Sequence, residues 1–183
     1  MDIIHKWNQW NIITMIPFFF ILFFINNTPL FISILSFTVI GILHHYFNNS
    51  YSLLILDCIS IVSVFTVLTF LLHFHPIIKN MLLFLEFTIL FLFLSFLVFS
   101  FRVSERSLLF FVSLIWFPVI LFSLDMLSFR TIFLIVVSIF LYVWSICFSH
   151  KITWGVFHIL CALTTFFVLY DLKFLSFRMK SLI

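Results

Sequence analysis

Long apolar runs separated by short polar breaks make up nearly the whole sequence. The clearest breaks are Asn26-Asn27-Thr28-Pro29, Asn48-Asn49-Ser50 and His73-Phe74-His75-Pro76. Their Asn, Ser, Thr and Pro residues are typical of turns. A membrane-spanning helix requires about 20 predominantly apolar residues, and most of the runs between the breaks approach that length. The pattern therefore predicts a series of membrane-spanning helices.

Seven helices are predicted, each an apolar run that ends at a polar break. They cover residues 11–25, 30–47, 51–72, 81–101, 107–124, 131–148 and 153–170. The connections are short, so consecutive helices should be antiparallel neighbours. We therefore expect an all-α integral membrane fold, an up-and-down bundle of about seven transmembrane helices, with residues 1–183 as a single transmembrane helical domain.

Composition agrees with this pattern and excludes several classes of protein. The chain is 65% apolar and only 8% charged, which is far too few charges to coat a soluble domain of 183 residues. The formal net charge of +3 is spread along the chain without a basic run, which argues against nucleic-acid binding. We therefore expect a multi-pass integral membrane protein with membrane lipids around it.

Polar side chains near one end of the predicted bundle are the strongest candidates for function, because such groups are costly at membrane depth. His44 and His45 end the second predicted helix, Asp57 lies early in the third, and His158 lies in the second turn of the seventh. Asp57 and His158 each lie roughly 8 Å inside their helices. The up-and-down order therefore predicts that Asp57 and His158 meet at one depth, with His45 nearby.

Imidazoles and a carboxylate that converge from three helices are what a catalytic zinc site requires. Neutral His nitrogens bind the metal, an open position holds water, and a carboxylate orients or deprotonates that water. The structural alternative is that these side chains reach from helix ends to headgroups and water. The sequence leaves both interpretations open.

The opposite end of the predicted bundle carries a second set of polar residues. His73 and His75 have a spacing that can bind metal, but they bracket a loop. Glu86, about one turn inside the fourth predicted helix, is expected to pair with Lys79 near the interface, with a role in a proton path as the alternative. The sequence contains no Gly-rich phosphate loop, no Gly-x-Ser-x-Gly elbow and no Cys-x-x-Cys.

Two stretches resemble a known family. Gly41-Ile42-Leu43-His44-His45 with Leu54-Ile55-Leu56-Asp57 is similar to the helix-two and helix-three portion of the seven-helix superfamily that includes alkaline ceramidases, progestin-and-adipoQ receptors and hemolysin III-like proteins. Trp154-Gly155-Val156-Phe157-His158 resembles its helix-seven motif. The resemblance implies zinc bound by His45 and His158, with Asp57 as the catalytic carboxylate.

The chain departs from that family at two positions. Gly41 stands where the family has a Ser, and Trp154 stands where it has the first His of a His-x-x-x-His pair. His150 or Cys161 would be needed to complete the ligand set. The resemblance implies either a zinc-dependent hydrolase of a lipid amide or ester, or a degenerate member that binds lipid without catalysis.

A function from another class is also compatible with the sequence. A non-catalytic structural or proton-path subunit of a larger membrane complex, of the organelle-encoded respiratory-chain or ATP-synthase type, would have this size and this richness in Phe, which occurs 31 times. Such a subunit would need membrane-protein partners against its apolar flanks. A hydrolase would instead need a metal-containing cavity between the second, third and seventh helices.

Overall fold

The computed structural model describes residues 3–47, 51–99, 105–148 and 151–175, which are helical apart from short connections. The α-helices are α1 (Ile3–Leu22), α2 (Thr28–Tyr46), α3 (Tyr51–Leu71), α4 (Pro76–Phe99), α5 (Glu105–Phe122), α6 (Phe129–Phe148) and α7 (Lys151–Asp171). A single 3-10 turn, Leu124–Met126, lies between α5 and α6. The described part of the chain has no strand, so the predicted all-α class and the seven helices are confirmed.

The largest differences from the predicted helices lie where α1 and α4 begin. Helix α1 begins at Ile3 rather than at residue 11, and α4 begins at Pro76 rather than at residue 81. Proline fits the first turn of a helix, because its missing N–H would have no partner there and its φ is already helical. Pro76 therefore starts a helix as well as ending the preceding loop.

Helix α2 begins at a well-formed cap. The Asn27 side chain accepts a hydrogen bond from the Leu30 backbone N–H at 3.1 Å, and Pro29 occupies the first turn. This cap satisfies one of the backbone donors that a helix leaves unpaired at its start. The Asn-Asn-Thr-Pro break thus fixes the start of α2 and with it the position of the histidines at its other end.

Helices α1 to α4 each pack on the next helix in the chain, α6 packs on α7, and α7 returns to α1. Helix α2 lies between α1 and α3, α7 packs on both α1 and α6, and α5 packs on α3 and α4. The main apolar core lies between α1, α2 and α7, with contributions from α3, and contains Met15, Phe18, Ile21, Leu22, Leu30, Ile34, Leu68, Ala162 and Leu169. Any group on the inner faces of α1, α2 and α7 therefore lies at one tightly packed corner.

Three helices are long and apolar enough to cross a membrane: Thr28–Tyr46, Tyr51–Leu71 and the Pro76–Ser95 part of α4. Shorter apolar helical stretches are Ile12–Leu22, Phe129–Trp144 and Gly155–Asp171. Large apolar side chains cover the outer surface as well, with Phe23, Phe84 and Phe129 each more than 70% exposed. Such a surface is costly in water and favourable in a hydrocarbon environment.

Polar side chains join α6 to α7. The Asp171 carboxylate accepts hydrogen bonds from the Ser128 backbone N–H at 2.9 Å, the Ser128 hydroxyl at 2.8 Å and the Thr131 hydroxyl at 2.6 Å. A carboxylate at this position satisfies donors at the start of α6 and complements the positive end of its dipole. Farther along the same pair of helices, the hydroxyls of Ser138 and Thr164 lie 3.0 Å apart.

Candidate functional site

Two of the predicted site residues, His45 and His158, lie side by side. His45 is in the last turn of α2, and His158 is two turns into α7. Their ring centroids are 5.0 Å apart, although 113 residues separate them in the sequence. The contact exists because α1 packs against both α2 and α7 and holds these two helices at one corner.

His44 extends this pair into a row of three imidazoles. Its ring centroid lies 5.2 Å from that of His45. The Nδ1 atom of His44 is buried and has no hydrogen-bond partner among the described residues. A buried polar atom without a partner costs free energy, so the row contains an unused position for a hydrogen bond.

Thr14, on α1, belongs to the same site and was not predicted from the sequence. Its side chain is almost fully buried, and its Oγ1 lies 3.2 Å from Nδ1 of His158. This contact occupies Nδ1, so an added ligand of His158 would use Nε2. A threonine inside an apolar run has no charge or motif to single it out, and only the packing of α1 on α7 reveals its role.

Asp57 approaches the site from α3, beside Gly41. A Cβ atom placed on Gly41 would lie 3.4 Å from the Asp57 Oδ1 atom and 2.6 Å from the Met15 Cε atom. Gly41 is one helical turn before His45, so the Asp57 carboxyl group lies beside the turn of α2 that precedes His45. The Met15 side chain fills the space that a Ser side chain would occupy at position 41.

The predicted zinc site is incomplete in the part of the chain that the structure describes. Among those residues, no group of three or more His, Cys, Asp or Glu side chains is placed to hold one metal ion. His45 and His158 supply two ligands, while Cys161 follows on α7 without completing a set. His150 lies outside the described residues. Zinc normally takes at least three protein ligands, so the described donor set does not fit a zinc ion.

At the opposite end of the bundle the predicted polar residues do not form a comparable cluster. The side chains of His73, His75 and Asp125 are exposed, and Asp171 is engaged at the start of α6. The predicted pairing of Glu86 with Lys79 is wrong. Because α4 begins at Pro76, Glu86 lies deeper in the helix than predicted and contacts Thr69, at 2.6 Å.

Lys79 contacts the backbone instead of a carboxylate. Its ammonium group donates to the Phe70 carbonyl and lies over the Phe70 ring. Arg130 likewise stacks on an aromatic ring, that of Phe167, at 3.8 Å. These two cations are therefore engaged away from the imidazole row.

Helices α1, α2 and α7 contribute imidazole and hydroxyl groups to this site, and α3 places the Asp57 carboxyl group beside it. An imidazole carries one N–H donor and one acceptor nitrogen when neutral, and a threonine hydroxyl does both. Such a set can hold an amide, ester or hydroxyl group by hydrogen bonds. No family model, no curated protein and no solved structure matches the chain.

Proposed function

We propose that this chain is a multi-pass integral membrane protein whose functional site is the imidazole row His44, His45 and His158 with Thr14. Three helices with the length and composition of membrane spans support the membrane placement. The exposed apolar side chains of α1, α5, α6 and α7 support lipid contact by the remaining helices. If all seven helices cross the bilayer, every apolar run is kept out of water.

The site binds the polar part of a lipid that carries an amide or an ester, without zinc-dependent hydrolysis. The observation that carries this proposal is the 5.0 Å contact between His45 and His158 beside a buried, unpartnered Nδ1 of His44. Uncharged imidazoles match an uncharged carbonyl or hydroxyl better than a phosphate, which Lys and Arg bind more strongly. His44 and His45 are in the last turn of α2, near the end of a span, where lipid linkages lie.

This proposal corresponds to the degenerate member implied by the resemblance to ceramidase-like proteins. Two departures support it: the Met15 side chain occupies the space of the family's Ser, and the described residues supply two His ligands instead of three. Binding would remain possible because it needs hydrogen bonds but no metal-bound water.

A zinc-dependent lipid hydrolase is the second candidate function. The resemblance names three residues, His45, Asp57 and His158, and the structure places them near one another. His45 lies beside His158, and Asp57 lies beside the turn that precedes His45. Zinc supplies a metal-bound water of low pKa when three protein ligands hold it. Near-stoichiometric zinc in the purified chain would favour this candidate over the zinc-free site.

The membrane placement is tested by cysteine accessibility in sealed vesicles. In a cysteine-free background, Phe47→Cys at the end of α2 and His75→Cys before α4 should react with an impermeant maleimide from opposite sides of the membrane. One should label directly and the other only after permeabilisation, since α3 separates them. Labelling of both from the same side, or release of the chain by alkaline extraction, would contradict the proposal.

A further inference from the structure

Glu86 is a buried acid in the interior of α4, far from the imidazole row. It lies ten residues after Pro76, about 15 Å along the helix, and its side chain is only 2% exposed. Leu82 and Ile89, its neighbours on the buried face of α4, belong to two apolar clusters with Val119 and Ile115 of α5. The carboxyl group thus lies between two apolar layers.

The partner of this carboxyl group is a hydroxyl that makes two contacts. Thr69 is fully buried on α3, and its Oγ1 lies 2.6 Å from Glu86 Oε1 and 3.0 Å from the Phe65 backbone oxygen. A hydroxyl has one proton, and a backbone carbonyl can only accept. Because Thr69 has a single hydroxyl proton, both contacts are full two-centre hydrogen bonds only when Glu86 donates to Thr69 and Thr69 donates to Phe65.

We propose that Glu86 and Thr69 form a proton-binding site within the α3–α4 hairpin, in which the carboxyl group is held as the neutral acid. Lys79, the counter-ion predicted from the sequence, binds the Phe70 carbonyl instead. Thr66 lies close to the carboxyl group, but Oε2 makes no hydrogen bond among the described residues. This site is independent of lipid binding at the imidazole row.

Infrared difference spectroscopy of the full chain in lipid nanodiscs tests this site. The wild-type spectrum should contain a carboxylic-acid C=O band that is lost in Glu86→Gln, and Thr69→Val should shift that band by removing its hydrogen-bond partner. Ser138→Ala, which removes a buried hydroxyl between α6 and α7, is the matched control and should leave the band in place. Identical carboxylic-acid regions in wild type and Glu86→Gln would overturn the proposal.

Chemical modification of the wild-type protein tests the same protonated carboxyl group without a substitution. An apolar carbodiimide takes the acid proton on one nitrogen while the carboxylate oxygen adds to its central carbon, and acyl transfer to nitrogen yields a stable N-acylurea. The wild-type α4 peptide should carry this adduct at Glu86, with loss of the same C=O band. Persistence of that band after Glu86 has been fully modified would assign it to another acid and overturn the proposal.

Discussion

Replacing His158 with leucine should lower labelling by a photoreactive ceramide by roughly ten-fold, because the substitution removes one hydrogen bond from a buried site, worth about 1.4 kcal/mol. Leucine keeps the apolar volume of α7 while removing both ring nitrogens. The loss should be measured on the full chain in vesicles, with crosslinked peptides identified by mass spectrometry. Crosslinks in the wild type should fall on α2 and α7.

Three controls distinguish loss of the binding site from loss of the folded structure. His75→Leu, an exposed histidine at the other end of the bundle, should label like the wild type. Thr14→Val keeps the shape of Thr14 but removes its contact with Nδ1 of His158, and should cause a smaller loss. Photoreactive phosphatidylcholine, whose headgroup presents a phosphate that the site does not favour, should label all variants equally. Unchanged ceramide labelling in a folded His158→Leu protein would remove the imidazole row from the binding site.

Replacing Trp154 with histidine should convert a chain with little zinc into one that binds about one zinc ion. Position 154 lies on α7 one turn before His158, so the new imidazole joins a His-x-x-x-His pair on one face of the helix. With His45 in contact with His158, the variant would have three histidine ligands, the number found in catalytic zinc sites. Metal content of protein purified without chelators measures the gain.

The matched control places the same residue on another face of α7. Val156→His adds an imidazole two residues from His158, where side chains point apart, and should not raise the zinc content. Removing His45 in the Trp154→His background should abolish the gain. Equal zinc in wild type and in a folded Trp154→His protein would show that positions 45, 154 and 158 do not surround one point.

The helices were predictable because the polar breaks carry turn chemistry that is independent of packing. Asn48-Asn49-Ser50 and the loop before Pro76 separate apolar runs that cannot continue through them without exposing polar groups to lipid. Helix starts were less predictable, because Pro76 both ends a loop and begins a helix. The predicted packing of sequential neighbours holds for α1 to α5 and for α6 with α7, while the return of α7 to α1, which sets the site, could not be foreseen.

Within the site, helix order and depth predicted that Asp57 and His158 meet with His45 nearby; the structure places the His45 and His158 rings side by side and Asp57 next to Gly41. Thr14 was missed because its contribution depends on which face of α1 meets α7, and the apolar run around Thr14 gives no periodic signal for that face. The predicted contact between Glu86 and Lys79 was wrong because α4 was predicted to begin at residue 81. Moving the start of α4 to Pro76 places the acid opposite Thr69 of α3.

The central claim is that His45 and His158 form one site that holds a lipid and no metal. Native mass spectrometry of the wild-type chain, released from nanodiscs that contain ceramide, tests this claim most directly. We predict a species of the mass of the chain plus one ceramide, without a zinc ion, and loss of the bound ceramide in His158→Leu. A wild-type species with one zinc ion, absent in His158→Ala, would contradict the claim and support the zinc-dependent hydrolase.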